Sequence, residues 1–158
     1  MVLAFEEIAG YLRCGGDVDD ELRRRAVELA SEAPIDERGV FLRDGDKFFL
    51  CGTIGAVFDC WHRQLSARSA ADALIGQAIG AAAVEKVMDD LEDKIRLTLS
   101  QSEKLMPRRS PGYGTMELGL NREIIERLDA AKRIGVSYTD SMTLLPSKSV
   151  TAVCEVVK

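Results

Sequence analysis

The sequence predicts a single α+β domain over residues 1–158: a mainly antiparallel, twisted sheet packed by one long and two shorter helices. Three observations carry that expectation. Two short aromatic and β-branched runs flank an Asp-Gly turn, one long stretch repeats small and apolar residues at a helical period, and the final segment is rich in valine. With 46% apolar and 30% charged residues, a chain of 158 has the composition of an ordinary globule with one core.

Taken in order, residues 17–33 place Leu22, Ala26, Leu29 and Ala33 on one helical face, with acids from Asp17 to Glu21 in the first turn and Pro34 as the stop. Next, 40–43 and 47–51 read as the two arms of a hairpin around Asp44-Gly45-Asp46. Gly52-Thr53-Ile54-Gly55 is expected to turn the chain. From 69 to about 99 a long helix is indicated by Leu74, Ala78, Ala81, Val84, Met88, Leu91 and Ile95. Its first half is built of small residues, and Gly76 and Gly80 would admit either a packed element or a flat ligand. Glu85, Asp89 and Glu92 form an acidic stripe on an adjoining face, by default a solvated one. Residues 101–119 form a loop punctuated by Pro and Gly. Asn121 has the chemistry of an N-cap for a helix with Ile124, Leu128 and Ala131 inward, and Gly135 suits its left-handed end. Residues 136–158 read as one or two strands interrupted at Pro146.

Composition excludes several functions. A net charge of -5 with acids and bases interspersed offers no footprint for a nucleic acid. The start of the chain carries Glu6 and Glu7 within its apolar stretch and no preceding basic region, unlike a signal peptide. The weakly charged stretch 69–84 falls short of the roughly 20 strongly apolar residues of a membrane span. A cytoplasmic protein is therefore expected. Cys14, Cys51, Cys60 and Cys154 show no C-x-x-C spacing and read as free thiols. Asp59, Cys60 and His62 invite a metal reading but lack a fourth ligand at a usual spacing, so they are expected to be ordinary helix residues. Dinucleotide-binding, P-loop and nucleophile-elbow patterns are absent.

The least generic segment is Arg108-Arg109-Ser110-Pro111-Gly112-Tyr113-Gly114. Arg108 offers a fork of donors suited to a carboxylate, Pro111 stiffens the backbone, Gly112 and Gly114 permit geometries closed to other residues, and Tyr113 is an amphipathic plate. The same residues would also serve in an ordered connection whose arginines meet solvent.

This loop, followed by Leu128-Asp129-Ala130-Ala131-Lys132-Arg133-Ile134-Gly135-Val136, Thr139-Asp140-Ser141-Met142 and Pro146-Ser147-Lys148-Ser149-Val150, resembles the C-terminal activation domain of cobalamin-dependent methionine synthase. The likeness covers roughly the last third of the chain. Upstream, Gly52-Thr53-Ile54-Gly55 with Asp59, and Ala78-Ile79-Gly80 leading to Val84-Glu85 and Asp89, resemble short stand-alone members of that family. The resemblance implies an S-adenosylmethionine site: Arg108 on the methionine carboxylate, the backbone of Ser110, Pro111 and Gly112 along the ligand, Tyr113 facing a corrinoid, and Glu85 near the amino group or positive charge. It gives Thr139 to Ser141 only a supporting role. The implied reaction moves the sulfonium methyl to cob(I)alamin formed by reduction of cob(II)alamin, so the implied function is reactivation of a methionine synthase. The corrinoid-binding pattern D-x-H-x-x-G is absent around His62. Cobalamin is thus expected on a partner, a corrinoid-binding protein or synthase subunit, with a flavodoxin-like reductant. A carboxylate expected near the family's N-terminus has no clear counterpart. That gap leaves open a protein of another class, one that docks on or caps a corrinoid protein without catalysis.

Overall fold

A computed structural model describes residues 1–12 and 19–158. Cys14 and the start of the expected first-turn acids, Asp17, lie outside the described residues. The chain runs α1 (Phe5–Leu12), α2 (Asp20–Glu32), β1 (Arg38–Asp44), β2 (Lys47–Thr53), α3 (Ala56–Arg68), α4 (Ala70–Arg96), β3 (Lys104–Leu105), α5 (Leu120–Leu128), α6 (Ala130–Ile134), β4 (Ser137–Tyr138), β5 (Leu144–Leu145) and β6 (Ser149–Val157). The fold is α+β, as expected.

The main sheet has the order β1-β2-β6-β3 and every pairing is antiparallel. The hairpin forms as expected, with Asp44 opposite Lys47, and both strands run a little further than the sequence signal. Gly52 and Thr53 extend β2 instead of turning, and Gly52 sits under α4, where a Cβ would meet Met88 Sδ at 2.8 Å and Val87 Cγ1 at 2.9 Å. The turn comes only at Gly55, where φ is 83° and α3 begins.

Side chains on β2 and β6 alternate between two apolar layers, since successive residues of a strand face opposite ways. Phe48, Leu50, Ala152 and Cys154 pack with Met88, Leu91 and Ile95 of α4. Phe49, Cys51 and Val153 pack on the other side with Ile124, Ile125 and Leu128 of α5 and with Ile134. A third cluster joins Phe5 and Ile8 of α1, Ala26 and Leu29 of α2, Phe58 and Leu65 of α3 and the first half of α4.

Several expectations change in detail. Helix α1 is added to those foreseen, and α3 gives the helix expected around Asp59 to His62 its full extent. Leu74 is 70% exposed, and Ile75, Ile79, Ala82 and Ala83 are buried in its place, because the start of α4 packs against three other helices rather than along one stripe. Asn121 is not a cap: Gly119 holds that position, and the Asn121 side chain donates to the Met142 carbonyl at 3.0 Å and accepts from the Thr151 hydroxyl at 2.5 Å. Asp129 adopts a left-handed conformation that divides the expected helix into α5 and α6. The break turns Ala130 inward and leaves Ala131 exposed. Gly135 does end α6 at φ 74°, as foreseen.

Gly76 and Gly80 serve packing. A Cβ at Gly80 would stand 2.7 Å from the Phe58 ring, and one at Gly76 would stand 2.9 Å from Leu65, so α3 covers this face of α4 within the same chain. Among the described residues, no helix is long and apolar enough to cross a membrane.

Candidate functional site

The loop after α4 is fixed by the sheet. Arg109 exchanges two backbone hydrogen bonds of 2.9 Å with Val153, and Met106 N–H donates to the Glu155 carbonyl at 2.8 Å, so the segment runs beside β6. Opposite Val153, Arg109 shares its face and donates to Glu155 at 2.5 Å. Alternation along an extended backbone then sends Arg108 the other way, toward α4.

There Arg108 meets the acidic stripe, whose residues share a face because they are spaced four and three apart. Its Nη2 donates to Glu85 at 2.5 Å, and its Nη1 donates to Asp89 at 2.6 Å and to Glu92 at 2.5 Å. The stripe is therefore an ion-pair network whose outer members, Glu85 and Asp89, stay in contact with solvent. Glu92 is the innermost member, with a side chain 8% exposed, and its other oxygen accepts from Arg96 at 2.7 Å. Burial works against the Arg108 charge, yet the hydrogen bonds to Glu92, Glu85 and Asp89 outweigh it and hold the guanidinium protonated above its ordinary range. Tyr11 belongs to the same neighbourhood: burial, then the charges of Glu85 and Asp89, push its phenol upward.

Beyond Arg108 the chain coils tightly. Gly112 N–H donates to Met116 O at 2.9 Å and Met116 N–H to Tyr113 O at 3.1 Å. Gly112 and Gly114 take φ values of 88° and 60°, a region that side chains disfavour. This coil and the helix enclose an open cleft of about 620 Å3 with Glu85, Arg108, Ser110 and Tyr113 in its lining. Such a volume lies in the roughly 300–1,000 Å3 range of small-molecule sites.

Of the residues singled out by sequence, these four and Gly114 meet at the cleft. Pro111 is buried and Gly112 is exposed at the turn, so both shape the loop from outside the lining. Tyr113 stands at the mouth, 78% exposed. Arg109, Met116 and Val150 also line the cleft and were not foreseen. Val150 belongs to β6 and comes in through the tertiary pairing of the loop with that strand. Thr139, Ser141 and Thr143 instead bond to one another within the turn between β4 and β5.

No metal centre emerges among the described residues. The Asp59 carboxylate accepts from the Ser147 N–H and hydroxyl at 2.8 and 2.6 Å, His62 Nε2 lies 2.9 Å from the Ala73 carbonyl oxygen, and Cys60 is exposed. All three residues belong to α3. Cys51, Cys60 and Cys154 are free thiols.

Searches of described families and of curated proteins give no match. Among solved structures, the crystal structure of the MetH reactivation domain bound to AdoHcy matches with a TM-score of 0.64 and 15% identity. The two share a fold. The match covers 89% of this chain and 67% of the MetH domain.

Proposed function

We propose that this chain is an S-adenosylmethionine-binding module that supports reductive methylation, and so reactivation, of a corrinoid held by a partner protein. The observation that carries the reading is the convergence of Glu85, Arg108, Ser110 and Tyr113 on one cleft of a fold shared with the MetH reactivation domain. The chemistry of that lining suits the ligand. Arg108 presents donors to an α-carboxylate, Glu85 an acceptor to an ammonium, the Ser110 segment a polar wall, and the exposed Tyr113 ring a plate for the face from which a corrinoid arrives.

When bound, the corrinoid supplies a reduced cobalt nucleophile for the sulfonium methyl, and the electron pair of the broken carbon–sulfur bond remains on sulfur. No proton moves in that step, so the chain needs no acid-base pair. Its task is to orient the ligand and to keep water from the methyl group. A methionine synthase subunit or another corrinoid protein fits as partner, and a flavodoxin-like protein as the source of the electron.

A second reading is supported by Arg108 itself. Three carboxylates already occupy the guanidinium, and an N-terminal carboxylate of the family has no clear counterpart here, which favours a protein that docks on or caps a corrinoid protein without using the ligand.

Isothermal titration with S-adenosylmethionine and AdoHcy separates the two. Micromolar binding, about -8 kcal/mol, supports the first reading. Absence of heat up to millimolar ligand favours the second. Arg108→Ala is expected to abolish binding while the circular dichroism spectrum stays native, because Glu85 and Asp89 can turn to solvent and Glu92 keeps Arg96. Unchanged affinity in that variant removes Arg108 from the site.

A further inference from the structure

Arg108 stands between two clefts. One contains Glu85 in its lining, and the other contains Glu92 and Arg96. The guanidinium is held differently on the two sides. Toward the first cleft Nη2 has the half-exposed Glu85, whereas Nη1 has Asp89 and the buried Glu92, whose second oxygen is tied to Arg96. We infer that Glu92 is a positioning residue: bridged to Arg96, it fixes Nη1 so that Glu85 is the exchangeable partner when an amino-acid head group enters. This inference rests on the reading of the cleft as an S-adenosylmethionine site.

The exchange conserves ion pairs. The ligand carboxylate takes the Nη2 side of Arg108 in place of Glu85, and the released Glu85 accepts the ligand ammonium. One internal pair becomes two pairs with a zwitterion, and no charge is stranded. The arrangement works only if Arg108 stays in place while Glu85 leaves. A charged carboxylate with both oxygens committed and little solvent around it provides that hold.

Glu92→Gln removes the charge and one acceptor while keeping the shape. The test compares AdoHcy with 5′-methylthioadenosine, which shares its nucleoside and thioether but lacks the amino-acid head. The variant is expected to lose affinity for AdoHcy on the order of tenfold, the effect of weakening one charged hydrogen bond, and to keep its affinity for 5′-methylthioadenosine. Equal losses for both ligands indicate general distortion and overturn the inference, as does no loss for either; both results leave the cleft reading intact. Should the unaltered protein bind neither ligand, the cleft reading falls and this inference with it. If Glu92→Gln fails to fold, Arg96→Gln tests the same bridge from a more exposed position. A smaller loss confined to AdoHcy is expected, and unchanged affinity for both ligands overturns the proposal.

Discussion

Arg108 shows how little a residue type says before its partners are known. Its place in the loop suggested a ligand carboxylate, and the fold presents it to three carboxylates of its own chain as well. Glu103 shows the same physics with a simpler consequence. The Arg43 guanidinium, together with the Ser100 N–H and hydroxyl, holds its carboxyl down to about 2 from an ordinary 4.5. A depressed folded value means that the unfolded chain takes up the proton first as pH falls. The stabilisation is complete above 4.5 and disappears as pH drops toward about 2. Thermal melts of Glu103→Gln across that window should show a flatter loss of stability with acid than the unaltered protein. Identical acid limbs would show that the Arg43 pair does not bear on folding.

Among the elements, α3 is the one on which α4 most visibly depends. Phe58 of α3 lies against the bare backbone of Gly80, and Arg25 of α2 holds Asp72 in the first turn of α4 through two hydrogen bonds of 3.0 and 2.6 Å. Gly80→Val should therefore destabilise the protein by about 1–3 kcal/mol, the usual cost of overpacking, measured as a lower denaturant midpoint. An unchanged midpoint would mean that α3 can shift away freely. Legibility in the sequence follows the same line between local and non-local causes. The hairpin, the long helix and the left-handed Gly135 rest on neighbours in the chain, and they were readable. Leu74 and Asn121 misled because their environments are made by distant elements: other helices take the burial at the start of α4, and β6 with the β4–β5 turn takes the amide of Asn121. At the cleft, the loop's residue types and the spacing of the stripe were both visible. Their contact depends on Arg109 pairing with Val153, some forty residues away, and no local pattern reports it.

For the molecule as a whole, the sheet separates two apolar layers, and a cysteine lies in each. Cys51 faces α5 and Cys154 faces α4, and burial pushes their thiols up to about 12 and about 11. Thiolates are then scarce at neutral pH, and reagents lack access to them. Alkylation followed by peptide mass mapping should modify the exposed Cys60 promptly and reach Cys51 and Cys154 only at the rate of opening of the sheet. Rapid labelling of either buried thiol would indicate local opening of its layer. The topology adds a matter of timing. β6 lies between β2 and β3, yet it is translated after every element that it joins. While residues 149–157 are still in the ribosome, β2 has an unpaired inner edge, Arg109 has no Val153 to pair with, and Arg108 has no fixed approach to α4. The nascent chain can therefore form its hairpin and helices early, but the cleft has to wait for the final strand to arrive in the middle of the sheet. Until then that open edge is the place where a second nascent chain could pair in error.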